Sequence, residues 1–158
     1  MTRNLLKLAF ITGIAGILLQ CSTSVTGNGK EEIINADKAF SALSKEKGMK
    51  HAFLQYAAQD VVMLRENSFP QKGNNAMEER FRTFSDTGFV LIWEPLFADV
   101  AASGELGYSY GIYTSTSKDV EGRPTVEKGT YATVWKKDLN GDWKFVLDTG
   151  NEGLVEQQ

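Results

Sequence analysis

The hydrophobic period of the chain changes once, at Gly88, and that change narrows the fold to one class. Before it, apolar side chains recur at helical spacing. Residues 30–47 place Ile33, Ala36, Phe40 and Leu43 three or four apart with charges between them, which predicts an amphipathic helix ending at Gly48. Residues 49–58 predict a shorter helix that turns Phe53 and Tyr56 inward, and residues 60–65 (DVVMLR) read as a strand. After a loop holding Pro70 and Gly73, Asn75 and Glu78 form a capping-box pattern ahead of a third helix with Met77, Phe81 and Phe84 on one stripe. Beyond Gly88, residues 89–101, 105–117, 125–138 and 142–149 are long runs rich in Val, Tyr, Trp and Thr. Asn140-Gly141 between the last two is a hairpin signal. Helices first and antiparallel strands afterwards predict an α+β domain, helices on one face of a sheet long enough to curl into a cone.

The first 21 residues follow a different pattern. Arg3 and Lys7 precede a twelve-residue apolar run, residues 8–19, too short to cross a bilayer, which takes about 20. These are the proportions of a secretory signal. The run closes on Leu18-Leu19-Gln20-Cys21, which resembles the lipobox of bacterial lipoproteins, although Gln20 stands where a small residue is usual. The resemblance implies lipidation at Cys21 and anchoring to a membrane of the cell envelope, on its periplasmic or outer-surface side. An ordinary secretory signal with an incidental cysteine is the alternative. The predicted organisation is a signal over residues 1–20, a polar tether over 21–29, one domain over 30–152 and a tail over 153–158.

Composition then removes whole classes of chemistry. One cysteine excludes an intramolecular disulfide framework, and one histidine excludes His-rich metal centres. Without residues 1–20 the chain keeps 15 basic and 20 acidic side chains, a net charge of −5. That argues against nucleic acid, which calls for a basic stripe. No phosphate loop, dinucleotide fingerprint, nucleophile elbow or metal-ligand spacing occurs, so neither a cofactor nor a metal is expected.

The element order, with the fragments FLQYAAQDVVML (53–64), GYSYGIY (107–113), KGTYATVW (128–135) and DWKFVLDT (142–149), is similar to the NTF2-like superfamily, in particular its DUF4440 and SnoaL-like members. The likeness spans residues 30–152 and implies an NTF2-like cone, about three N-terminal helices on the concave face of a curved antiparallel sheet. Ketosteroid isomerases of the superfamily carry a general-base aspartate near the end of the first strand. Arg65 holds that position, and arginine cannot abstract a proton. Phe40 falls near the position of their oxyanion tyrosine and offers no hydrogen bond. Ketosteroid isomerase chemistry is therefore not expected.

If Arg65 points into the cone it needs a partner, and Glu94 and Asp148 are the candidates. An internal salt bridge, a ligand-binding guanidinium and a surface arginine remain open. Tyr110 and Trp93 are candidate pocket residues among the strand aromatics, with Tyr108 and Tyr110 on one face and Tyr113 on the other. Glu66 reads as a solvated loop charge and His51 as a surface side chain. The resemblance thus implies an envelope protein that binds a small apolar or amphipathic molecule without catalysis. The alternatives are a cofactor-independent acid–base enzyme (isomerase, dehydratase or hydrolase) using Arg65, Glu94, Asp148 and a tyrosine, and a domain that forms a homodimer through its sheet face.

Overall fold

Three helices lie against a curved six-stranded sheet in the computed structural model, which describes residues 26–153. Cys21 and the predicted signal lie outside the described residues. In chain order the elements are α1 (Thr26–Lys47), α2 (Met49–Tyr56), β1 (Ala57–Leu64), β2 (Gln71–Lys72), α3 (Asn74–Thr83), β3 (Val90–Val100), β4 (Leu106–Lys118), β5 (Pro124–Lys137) and β6 (Trp143–Glu152). The sheet order is β2-β1-β6-β5-β4-β3. It is antiparallel except where β1 runs parallel to β6, so the sheet is mixed rather than purely antiparallel. Among the described residues no helix is long and apolar enough to cross a membrane.

Local physics explains most boundaries. Gly48 sits at φ 88°, a conformation a side chain would resist, and it separates α1 from α2. Helix α1 begins at Thr26, so residues 26–29 of the predicted tether are helical. Helix α3 starts after Gly73 (φ 82°) with no side-chain cap, and the capping box expected from Asn75 does not form. In the last hairpin only Gly141 has a positive φ. Asp138 Oδ1 accepts from the backbone N–H groups of Asn140 and Asp142, so an Asp-closed loop replaces a two-residue turn.

Helix α1 does two things for the sheet. Its inward stripe is Ile33, Asp37, Phe40, Ser41 and Ser44, all buried. Ser41 Oγ donates to the Trp93 carbonyl and accepts from the Trp93 N–H, both at 2.8 Å, while Ser44 Oγ donates to the Leu91 carbonyl at 2.7 Å. The free edge of β3 is thereby satisfied by a helix. Phe40 is the hub of the core, with ring contacts to Phe53, Tyr56, Trp93, Trp135 and Phe145. Glu32 fastens the other end of the helix, accepting from Lys137 Nζ at 2.8 Å and Trp143 Nε1 at 3.2 Å.

Candidate functional site

Register decides which strand side chains face the cone. Tyr113 pairs with both Trp93 and Gly129, Gly129 with Glu152, Ser115 with Glu127, Tyr131 with Gly150 and Thr133 with Asp148. Paired residues share a face, and together these form one side of a cavity of about 560 Å³. Helices α2 and α3 close it with Met49, Phe53 and Phe81, and Phe84 and Phe89 flank the α3–β3 connection. A volume in this range suits a small organic molecule. The depth is apolar and the mouth is charged: Arg65, Glu66, Arg80, Glu127 and Glu152 all line it.

Arg65, which follows β1 directly, lines the cavity and is tied to Asp148 on β6. Its Nη2 donates to Asp148 Oδ1 at 2.5 Å, and Nη1 donates to the carbonyls of Leu64 (2.8 Å) and Asp148 (3.1 Å). Thr133 Oγ1 donates to the other carboxylate oxygen at 3.0 Å. The parallel pairing of Leu64 with Thr149 and Met63 with Asp148 brings the two side chains together across 83 residues of sequence. The arrangement is a charge-assisted pair with both carboxylate oxygens occupied.

The other sequence-predicted residues separate. Trp93 lines the cavity. Glu94, its neighbour, is exposed and does not line the cavity, because the strand alternates and Trp93 takes the inward position. It is therefore not the partner of Arg65. Tyr110 is 45% exposed on the outer face of β4, stacked on Phe97, because Ser109 and Gly111 occupy the inward positions on either side of it. Tyr110 is thus corrected from a pocket residue to an outer-face residue. Glu66 is exposed at the rim, and His51 is exposed on α2.

Sequence reasoning missed Asp37. This carboxylate is fully buried on α1 and sits behind two residues of the cavity wall. Trp93 Nε1 donates to Oδ1 at 2.6 Å and Tyr131 Oη donates to Oδ2 at 2.9 Å. Ser109 also hydrogen-bonds it, while its Oγ accepts from Trp135 Nε1 at 2.9 Å. Burial raises the Asp37 pKa above the usual carboxylate range, opposed by those three hydrogen bonds. Burial and the adjacent Asp37 likewise push the Tyr131 hydroxyl far above its usual value. A signal existed: Asp37 stands four residues after Ile33 and three before Phe40, inside the stripe. Among the described residues, no group of three or more His, Cys, Asp or Glu side chains could hold a metal ion.

The backbone resembles solved structures. No protein-family model and no curated protein matches the chain. Among solved structures, an NTF2-like superfamily protein from Salmonella enterica superposes with a TM-score of 0.64 at 14% identity, covering 82% of this chain and 94% of that one. The fold is NTF2-like. A ketosteroid isomerase-like protein from Erwinia carotovora atroseptica gives 0.62 at 13% identity over 76% of this chain and 93% of that one. The CaMKII hub of S. rosetta gives 0.62 at 14% over 78% and 96%. At such identities the likeness concerns the NTF2-like backbone, and activity has to be argued from the cavity itself.

Proposed function

We propose that the chain is a lipid-anchored envelope protein of the DUF4440 or SnoaL-like type whose NTF2-like cavity holds a small apolar or amphipathic molecule and does not transform it. One observation carries the non-catalytic reading: the two buried carboxylates at the cavity, Asp37 and Asp148, are both engaged. Asp148 is held by Arg65 and Thr133, and Asp37 lies behind Trp93 and Tyr131 with donors of its own. A general base needs a free lone pair within reach of substrate. The apolar depth offers burial for a hydrophobic body, worth about 25 cal/mol per Å² of apolar surface removed from water.

Native mass spectrometry of the protein purified from its own host tests the reading. Retention of a small molecule that is recovered unchanged after incubation supports it. Turnover of the retained molecule, or loss of retention failing to follow when the cavity is filled by Met63→Trp, overturns it. The anchor has its own test. Mature protein should begin at a lipidated Cys21 and partition with membranes, and Cys21→Ser should leave the precursor unprocessed or release it. Several acyl chains hold firmly where one gives only marginal binding. Freely released wild-type protein with any other N-terminus removes the lipoprotein reading.

A further inference from the structure

The cavity's charges are unequal. Two arginines, Arg65 and Arg80, face four carboxylates, Glu66, Glu127, Asp148 and Glu152, a formal charge of −2 over the lining. Arg65 is matched within the structure by Asp148. Glu127 on β5 and Glu152 on β6 have no ion pair or hydrogen bond among the described residues, and both reach the mouth from the concave face.

Tyr113 pairs across the sheet with Gly129, which lies two residues from Glu127 and opposite Glu152. A Cβ on Gly129 would lie 2.5 Å from Tyr113 Cε1 and Cζ, and one on Gly150 3.5 Å from Cε1. The ring therefore lies across two glycines of β5 and β6 and is fixed as a wall of the cavity. That path carries it toward Glu152, the cross-strand partner of Gly129. Burial first, then the charges of Glu152 and Glu127, raise the Tyr113 pKa against a smaller lowering by Arg65, so the phenol stays protonated at neutral pH. An aromatic face beside two unmatched carboxylates attracts a cation and repels an anion.

We propose that the cavity selects an amphipathic organic cation, its apolar body among Phe53, Phe81 and Trp93 and its cationic head against Tyr113, Glu127 and Glu152. The proposal rests on the binding reading above and assigns the ligand's charge class. It also excludes the use of Arg65 as an anion anchor, because Asp148 already balances it.

The test uses three compounds of one shape, 4-phenylbutyltrimethylammonium, 4-phenylbutan-1-ol and 4-phenylbutyrate, titrated into the full chain by calorimetry. The ammonium should bind roughly tenfold or more tightly than the carboxylate, with the alcohol between them. The preference should shrink as salt rises from about 0.05 to about 0.5 M, because mouth charges are screened. Both glutamates are exposed, so Glu127→Gln/Glu152→Gln should fold normally, bind the alcohol as before and lose the preference. Equal affinities, a preference for the carboxylate, or a preference that survives the double substitution overturns the charge assignment while the cavity remains a binding site. If none of the three binds, the binding reading itself fails and this assignment with it.

Discussion

Arg65 and Asp148 form a pair with little access to water, their side chains 23% and 10% exposed. Removing one partner of such a pair strands a charge, whereas replacing both with apolar groups often costs little. Arg65→Met is expected to destabilise by on the order of 3 kcal/mol, with Asp148 left to Thr133 alone. Arg65→Met/Asp148→Leu should recover much of that in urea unfolding. A double variant less stable than the single one would show that the pair does more than neutralise itself. Asp37 gives a pH signature of opposite sign to the usual carboxylate. Its folded pKa is raised, so below the ordinary value of 3.8 it is protonated in both states and carries no penalty. As pH rises above 3.8 the unfolded chain ionises first, and stability is lost until the folded group ionises too. The stability difference between wild type and Asp37→Asn should therefore move in the variant's favour over that range. Unfolding curves at several pH values check it, and a difference that moves the other way contradicts the raised pKa.

Glycines allow close strand approach within the sheet. Gly111 lies where a Cβ would stand 2.0 Å from the Glu94 carbonyl oxygen and 2.8 Å from Tyr131 Cε1. The first contact is backbone, so it cannot move aside without shifting β3 against β4. Gly111→Ala is expected to destabilise by about 1–3 kcal/mol, as overpacking does, and to disturb Tyr131 and through it Asp37. Thermal unfolding and the tryptophan emission would report the two effects, and an unchanged midpoint would contradict the close packing. Much of this architecture was legible because helices and strands write different periods: Phe40, Phe53 and Phe81 mark inward faces at helical spacing, and Tyr108, Tyr110 and Tyr113 mark the two strand faces by parity. Asp37 was not, since pattern reading treats a charge as outward and only the tertiary fold supplies Trp93, Tyr131 and Ser109 as donors. The Arg65 partner was left open for a related reason. Choosing Asp148 over Glu94 depends on the parallel β1–β6 register, which no local residue pattern encodes.

The convex face of the whole molecule is where the next surface lies. Leu96, Phe97, Leu106, Tyr108 and Tyr110 are each between 39% and 59% exposed, and Phe97 contacts both tyrosine rings at 6.3 and 5.6 Å. Ile112 on β4 and Thr130, Ala132 and Val134 on β5 extend this surface without charge, while Glu94 and Asp99 of β3 flank it and Lys30 Nζ lies 5.6 Å from the Phe97 ring. A contiguous apolar patch of aromatic residues on a folded domain marks a contact surface. We propose that its partner is a second copy of the chain, because a two-fold axis sets one patch against itself. Such a dimer leaves the cavity open, since Tyr110 and Tyr113 point to opposite faces of the same strand. Sedimentation of the full chain in mild detergent should give a dimer, and Phe97→Glu/Tyr110→Glu should shift it to monomer by placing four like charges across the axis. Both side chains are partly solvent-exposed, so the fold and the cavity's ligand affinity should persist in the variant. A wild-type chain that stays monomeric over the accessible concentration range, or a dimer indifferent to the double substitution, would place the contact elsewhere.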